Sequence, residues 1–475
     1  MTHSLGLLFE LKDELLEAVP AASRWERGAF LRHIKGTFAR GEKFLADSHG
    51  EGAGGIELAE ARAVFIDALL CQIWGHGVHD SEGAEAKDSD KCAMVAIGGY
   101  GRGELSPGSD IDLMFVFAKR SPETSRLVRS ILYLLWDAGL DIGHSARTIS
   151  ECVKIAREDY QSETSMLENR LVAGDLNIFT AYNNRFDSYL KRVSKGAHLR
   201  RRLRELNERY RSWDPSVYVQ EPNLKGSAGG LRDLHAVLWL ASAYGAKKLD
   251  GIWRKGWMPE EDCRRVREAY DFLLRLRAQL HFLSGSKQDM LTFLTQMEVA
   301  PTLGYVDSKV AKASEKFMRD YLMSARTIHV FCRDFFESLE ESLTKKGWAR
   351  RRQRIEPLGN GLALRDYHSL VLDGSGDDVM SHPAGLMRIF ELQFRYSCSL
   401  SPELRNFIRS SLEELDESFS SSPEVKDSFF RILEGKAGVA HILQEMHSLG
   451  VLGRYIPEFD ELTCFVQLDH SHRYT

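Results

Sequence analysis

Apolar residues recur at helical spacing over most of the chain, and two short β-prone runs interrupt this pattern. Residues 1 to about 80 show helical spacing in two blocks, separated by a glycine-rich segment at 49–55 that we expect to be a loop. Residues 92–97 and 110–117 are short and apolar, as buried strands are. The pattern predicts a helical lead-in followed by an α/β section.

A single apolar stripe predicts a helix over residues 122–138, which Gly139 ends. The stripe consists of Leu127, Ile131, Leu134, Leu135 and Ala138. A strand is predicted over 140–148, and beyond it the spacing is mostly helical up to residue 343, with a loop at 218–230. The basic segment 199–210 is expected to be a solvated amphipathic helix without a function, because leucines and acids interleave its arginines.

Composition narrows the class of protein. Apolar residues make up 43% of the chain and charged residues 28%, which is an ordinary globular balance. A formal charge of -5 argues against nucleic acid as a partner, because binding a phosphate backbone normally requires a basic face. The seven cysteines never form a C-x-x-C pair, which indicates a cytoplasmic protein without a disulfide framework. No stretch is apolar enough to cross a membrane, and the acidic N-terminus is expected to be an amphipathic helix rather than a signal peptide.

Two carboxylates one residue apart carry the strongest chemical signal. Asp110 and Asp112 point to the same face of the second predicted strand, while Ile111 points into the core. Neighbouring carboxylates repel each other unless a cation lies between them, and hard oxygen ligands suit Mg²⁺ (or Mn²⁺) completed by substrate phosphates. The sequence therefore predicts a metal site for a nucleoside triphosphate.

Glycines just before this pair supply a second signal. Gly98 and Gly99 follow the first strand, and residues without a Cβ let backbone N–H groups approach a phosphate. We assign Gly98, Gly99, Arg102 and Ser109 to substrate binding. The loop around Lys225 and Arg232 precedes a predicted helix and is suited to a triphosphate or pyrophosphate.

These motifs resemble those of a known family. Gly-Gly followed by Asp-x-Asp resembles the DNA-polymerase-β-type nucleotidyltransferases, and GGYGRGELSPGSDIDLMF is similar to the signature of the bacterial PII uridylyltransferases, which add UMP to the nitrogen-regulatory PII protein and remove it. The resemblance continues through GHSARTISEC, EPNLKGSAGGLRDLHAVLW and GVLGRYIPEF. Two departures are Gly108, where the family often has a bulky residue, and KGSAGG, which lacks the commoner proline before the glycines.

The resemblance implies a fold, a third carboxylate and a reaction. The expected fold is α+β and mostly α, with a polymerase-β-type nucleotidyltransferase domain, a helical domain and the start of an HD-type helical domain. Asp141 matches the family's third carboxylate, as a metal ligand and as acceptor of the nucleophile's proton. The implied reaction transfers UMP from UTP to a tyrosine of the PII protein and releases pyrophosphate.

Domain boundaries follow from these patterns. We predict a helical lead-in at 1–91, the catalytic domain at 92–185, a helical domain at 186–344, a linker and small subdomain at 345–427, and the start of a truncated HD-type domain at 428–475. His470 and His472 lie where the family's hydrolase motif begins, but such a centre needs several ligands. We therefore expect no uridylyl-removing activity from these residues.

Two other functions are compatible with the residues. An adenylyltransferase acting on glutamine synthetase or another protein would share the Lys-then-GGLRD pattern. A catalytically silent nucleotide-sensing protein would keep the fold without transfer. Preference between UTP and ATP separates the first alternative, and loss of transfer identifies the second.

Overall fold

The computed structural model describes residues 26–80, 92–246, 248–347 and 354–464. Two compact units are present, of which the first extends to Cys332 and the second begins at Arg333. The predicted N-terminal amphipathic helix, His470 and His472 lie outside the described residues. None of the helices in these described ranges is both long and apolar enough to pass through a bilayer.

The first unit combines one sheet with many helices. Its strands are β1 (Cys92–Ile97), β2 (Ile111–Phe117), β3 (Ile142–Thr148) and β4 (Asn169–Gly174). Its helices are α1 (Arg27–Gly50), α2 (Gly55–Asp80), α3 (Gly98–Arg102), α4 (Pro122–Asp137), α5 (Ile149–Glu158), α6 (Tyr160–Leu167), α7 (Leu176–Arg192), α8 (Lys195–Trp213), α9 (Leu231–Ala243), α10 (Leu249–Arg254), α11 (Glu260–Ser284), α12 (Phe293–Thr302) and α13 (Ala313–Gly347), which ends in the second unit.

Helices cover both faces of this sheet. The strand order is β3-β2-β1-β4, with β3 parallel to β2 and the other pairs antiparallel. Because side chains alternate along a strand, Met94 and Leu113 pack with α2 and α4 on one face, whereas Val95 and Met114 pack with α5, α6 and α7 on the other. Helices therefore cover the sheet on both faces. Strand β2 is a central strand, and its first residues lie where the sheet ends.

Local sequence explains helix α4. The predicted stripe is buried, Ser121 and Thr124 form a capping box at its N-terminus, and Gly139 beyond its end has a φ of 79°. The predicted helix is confirmed. The glycine-rich loop between α1 and α2 is confirmed as well.

Three strand predictions need correction. Strand β2 begins at Ile111 and β3 at Ile142, so Asp110 and Asp141 precede their strands. Strand β4 lies where we predicted helix, and it pairs antiparallel with β1 across a bulge between Met94 and Val95. Its side chains are almost all half-buried and show no alternation of burial, so no period-2 signal marks it.

The predicted boundaries within the first unit do not separate its core. Leu69 of α2, Leu113 of β2 and Ala278 of α11 belong to one hydrophobic cluster. The segments predicted as lead-in, catalytic domain and helical domain therefore form one compact unit as far as Cys332. Apolar burial shared between distant segments is not visible in the local pattern.

The second unit has its own small sheet and its own core. Its strands pair in chain order and are β5 (Ile355–Gly359), β6 (Leu362–Arg365), β7 (Ser369–Leu372) and β8 (Ser399–Leu400). Its helices are α14 (Asp377–Met380), α15 (Gly385–Tyr396), α16 (Pro402–Ser411), α17 (Glu417–Ser421), α18 (Pro423–Leu433), α19 (Val439–Ser448), α20 (Val451–Tyr455) and α21 (Pro457–Glu461), with a 3₁₀ turn at Leu412–Glu414.

Residues on both sides of the boundary predicted between 427 and 428 share one hydrophobic core. Ile432, Ile442 and Met446 pack into the same core as Leu364 and Leu370, which lie on the other side of it. Neither segment buries its apolar face without the other. The fold as a whole is α+β and mostly helical, as the sequence predicts.

Candidate active site

The aspartate pair lies at the start of the central strand β2. Asp112 is the second residue of β2, Asp110 precedes the strand by one residue, and Ile111 between them is buried in the core. The alternation of side chains directs the two carboxylates to the face that carries Met114 and Val116. Both line one cavity, as the sequence predicts.

Two glycines leave the space that the Asp112 carboxylate occupies. Gly143 of β3 lies opposite Asp112 in the strand register, and a Cβ added to Gly143 would lie 2.4 Å from Asp112 Oδ1. Gly98 has a φ of 63°, and a Cβ there would lie 3.6 Å from Asp112 Oδ2. No pattern in the sequence marks Gly143, because its role depends on the register between β2 and β3.

The electrostatics of the pair favour a cation. Burial, followed by the negative charge of Asp110, raises the pKa of Asp112, and the positive charges of Lys287 and Lys225 oppose this. Lys287 Nζ lies 2.9 Å from Asp110 Oδ2. The ammonium group of Lys287 therefore supplies a positive charge next to the aspartate pair.

One cavity of about 390 Å³ contains nearly every predicted site residue. The predicted residues that line it are Gly98, Gly99, Arg102, Ser109, Asp110, Asp112, Lys225 and Arg232. The Ser109 hydroxyl is buried and has no hydrogen-bond partner among the described residues. A buried polar group without a partner is costly, so a bound ligand would satisfy it.

Two cationic side chains of the cavity are unpaired within the described part of the chain. Lys225 Nζ and the Arg232 guanidinium make no hydrogen bond or ion pair with any described residue, although Arg232 lies over the Trp239 ring at 5.2 Å. Burial, then the charges of Arg277 and Arg232, lower the pKa of Lys225 to about 8. Cations held together without counter-ions are suited to a polyanion.

The glycine pair of the Lys225 loop has a structural role. The first N–H groups of α9 are already used, since Leu231 N donates to Leu224 O and Arg232 N donates to Lys225 O. Gly229 has a φ of 74°, and a Cβ there would lie 2.1 Å from Ala325 O. The side chains of Lys225 and Arg232, rather than the helix end, remain for an anion.

Asp233 fixes this loop from inside. The buried carboxylate accepts hydrogen bonds from Gly229 N at 2.7 Å and from the Tyr210 hydroxyl at 2.7 Å, and it pairs with Arg209. Arg209 belongs to the basic segment to which we assigned no function. Its position on the wall of the cavity shows that part of this segment supports the site.

Arg102 lines the cavity but is held by neighbours. Its guanidinium donates to Glu104 at 2.7 Å, to Glu168 at 2.5 Å and to His235 Nε2 at 3.0 Å. Burial, followed by the charge of Arg102, holds the pKa of His235 well below its usual value, which keeps the ring neutral as an acceptor. Arg102 therefore links Glu168, which lies just before β4, to His235 of α9. Its contact with substrate stays a prediction.

Asp141 is not among the residues that line the cavity. It lies exposed just before β3, and its main-chain oxygen accepts from Ile111 N at 3.0 Å. Within the described ranges, no three His, Cys, Asp or Glu side chains are grouped so as to hold a metal ion. The structure thus assembles the aspartate pair and not the predicted triad, and a role for Asp141 stays a prediction.

Several residues of the cavity were not predicted. Lys287 and Arg277 lie on it, as do the buried His235 and Tyr270. The segment around Lys287 shows only turn residues in the sequence, and Arg277 lies within an ordinary helical pattern. Their proximity to the aspartates depends on tertiary packing.

Three protein-family models match segments of this chain. The model of the nucleotidyltransferase domain matches residues 82–171, and the model of the GlnD PII-uridylyltransferase matches residues 197–336. The model of the third domain of uridylyltransferase GlnD matches residues 371–455. The chain belongs to the GlnD PII-uridylyltransferase family.

Membership of the GlnD family settles the class of reaction. The protein is a nucleotidyltransferase that transfers UMP to the PII protein. Asp110 and Asp112 lie in the segment matched by the nucleotidyltransferase domain, whereas Lys225, Arg232 and Lys287 lie in the segment matched by the GlnD model. The cavity therefore draws its residues from both matched segments.

Proposed function

We propose that this cavity binds UTP and that the uridylyl group is transferred there. The observation that supports the proposal most directly is that one cavity contains both the aspartate pair and the cations Lys225 and Arg232, which make no ion pair with a described residue. Lys225 and Arg232 neutralise the triphosphate. The Ser109 hydroxyl, which has no partner among the described residues, donates a hydrogen bond to the nucleotide.

Asp110 and Asp112 would hold the divalent cation, Mg²⁺ or Mn²⁺. The fit rests on the raised pKa of Asp112, on the ammonium group beside Asp110, and on oxygen ligands that these hard cations prefer. When bound, the cation supplies charge stabilisation at the phosphorus that is attacked. Gly98 and Gly143 leave the room that the Asp112 carboxylate needs for this role.

The acceptor is a tyrosine hydroxyl of the PII protein, and its proton must leave. A free tyrosine has a pKa of about 10, so a base or a neighbouring positive charge is needed at neutral pH. We assign this base to Asp141, whose main-chain oxygen accepts a hydrogen bond from Ile111 N, next to Asp110, and whose side chain is exposed. Pyrophosphate then leaves towards Lys225 and Arg232.

Transfer of label tests the proposal. The chain is incubated with UTP labelled at the α-phosphate, Mg²⁺ and PII protein, and label on PII is counted. Asp110→Asn and Asp112→Asn are each expected to lower transfer by a factor of about 100 or more, because ligands of the cation are lost. The matched control is Asp137→Asn, an exposed aspartate paired with Arg27, which should transfer normally.

Folding must be separated from chemistry in this test. Both variants should keep the melting temperature of the parent chain or exceed it, because the carboxylates open into a cavity and repel each other. Transfer close to that of the parent by either variant would refute the assignment. Titration calorimetry with UTP and ATP then measures nucleotide preference, and tighter binding of ATP would favour an adenylyltransferase.

A further inference from the structure

Lys287 contacts the aspartate pair from a different part of the chain. It lies in the turn between α11 and α12, and its Nζ is 2.9 Å from Asp110 Oδ2. The two side chains remain 45% and 42% exposed, so solvent screens the ion pair. Exposed pairs of this kind contribute little to stability, which makes the contact easy to exchange.

The turn that carries Lys287 is anchored beside the Lys225 loop. Asp289 accepts a hydrogen bond from Arg277 Nε at 2.6 Å, and its main-chain oxygen accepts from Leu224 N at 2.8 Å. Leu291 N donates to Pro222 O at 2.9 Å. The two loops therefore share a backbone scaffold, which places Lys287 and Lys225 on the same cavity.

Gly108 permits the approach of this turn to the aspartates. A Cβ added to Gly108 would lie 3.2 Å from the carbonyl carbon of Ser286 and 3.3 Å from Lys287 N. Its φ of 65° also favours glycine. A bulkier residue at position 108 would press on the backbone of Lys287, so the short distance to Asp110 depends on local packing.

We propose that Lys287 exchanges between two partners during the reaction. Without nucleotide it neutralises Asp110, and when the cation and UTP bind it leaves Asp110 and contacts the triphosphate beside Lys225 and Arg232. This inference rests on the proposed function, because it uses the same aspartates as ligands of the cation. Lys287 is thus a substrate-binding residue that also competes with a nucleotide-free cation.

The exchange follows from charge and reach. The Asp110 oxygen that faces Lys287 is a ligand suited to the cation, and an ammonium group and a divalent cation repel each other at one carboxylate. The lysine side chain is long and flexible and is half-exposed, so it can turn towards the phosphates without a change in the backbone. Lys287 therefore weakens binding of the cation alone and strengthens binding of the cation together with the nucleotide.

Two binding measurements of opposite sign test this exchange. Calorimetric titration measures Mn²⁺ binding without nucleotide, and a second titration measures an α,β-methylene analogue of UTP in the presence of Mn²⁺. Lys287→Met is expected to tighten Mn²⁺ binding about two- to fivefold, because the competing ion pair is lost. The same variant should weaken binding of the analogue about tenfold, because a charged contact to phosphate is lost.

Matched variants make the result specific. Lys309→Met removes an exposed lysine elsewhere in the first unit and should change neither titration. Lys287→Arg keeps the charge and should stay close to the parent chain in Mn²⁺ binding. Because both readouts are equilibrium titrations, they do not depend on transfer to the PII protein.

The outcomes separate this inference from the function on which it rests. Unchanged or weaker Mn²⁺ binding by Lys287→Met overturns the exchange, and so does unchanged affinity for the analogue. If Asp110→Asn binds Mn²⁺ as the parent chain does, the proposed cation site itself is wrong. Tighter Mn²⁺ and weaker analogue binding in Lys287→Met, with loss of Mn²⁺ binding in Asp110→Asn, supports both.

Discussion

At the scale of single residues, the site contains ionisable side chains that are largely buried, and burial disfavours their charged forms. Lys225 forms no ion pair with a described residue, and the charges that act on it include Arg277, Arg232, Lys287, Asp289 and Asp112. Because its pKa in the folded chain is about 8 and that of an unfolded lysine is about 10.4, the charged form costs stability. The cost is full below pH 8 and disappears as the pH rises towards 10.4, so it is present at neutral pH.

The lowered pKa of Lys225 predicts that nucleotide binding is linked to a proton. A triphosphate stabilises the ammonium form, so affinity for the α,β-methylene analogue should fall as the pH rises through about 8, by at most about tenfold per pH unit. Calorimetry at pH 8.5 in buffers of different ionisation enthalpy should show proton uptake. Lys225→Arg, which stays charged, should lose both effects, and an unchanged pH dependence in that variant would exclude Lys225 as the linked group.

At the scale of elements, the sequence predicts what depends on local pattern and misses what depends on register. The apolar stripe predicts α4, and alternation along β2 correctly places Asp110 and Asp112 on one cavity. The pairing of Gly143 with Asp112 and the pairing of β4 with β1 join distant segments and leave no local period. Lys287 was missed for the same reason, because the packing of its turn against Gly108 brings it to Asp110.

Gly229 of the Lys225 loop can be compared with Gly256, which lies between α10 and α11 and has a similar backbone conformation. Gly229 and Gly256 have φ values of 74° and 67°, but a Cβ at Gly229 would lie 2.1 Å from Ala325 O, whereas a Cβ at Gly256 would meet nothing within 4 Å. Gly256→Ala should cost only the backbone strain, about 1–2 kcal/mol. Gly229→Ala adds a clash with main chain and should unfold at a clearly lower temperature and bind the analogue weakly. Equal melting temperatures for the two variants would show that the loop relaxes and that its close packing is dispensable.

At the scale of the whole molecule, each unit is stabilised by its own interior. The first unit holds the sheet β3-β2-β1-β4 between helices, and every residue that lines the candidate active site belongs to it. The second unit combines a separate apolar core with a buried ionic cluster centred on Arg405. Damage to that cluster should therefore be visible first in the unfolding of the second unit.

A substitution of Arg405 tests whether the second unit unfolds separately from the first. Its side chain is 7% exposed, its Nε donates to Glu445 at 2.8 Å, and its other nitrogens lie near Glu337 and Asp334. Arg405→Met leaves the buried carboxylate of Glu445 poorly paired, which typically costs about 3–5 kcal/mol. In differential scanning calorimetry the transition of the second unit should fall by roughly 10 °C, since 1 kcal/mol shifts a domain of this size by a few degrees.

The control and the nucleotide measurement complete that experiment. Arg395→Met removes an arginine that is 61% exposed and pairs with Glu391 four residues earlier, so it should cost no more than about 1 kcal/mol. Both variants should bind the UTP analogue with the affinity of the parent chain at temperatures where the second unit remains folded. If Arg405→Met instead weakens analogue binding as strongly as it lowers the transition, the two units do not unfold independently, and the cavity depends on residues beyond Cys332.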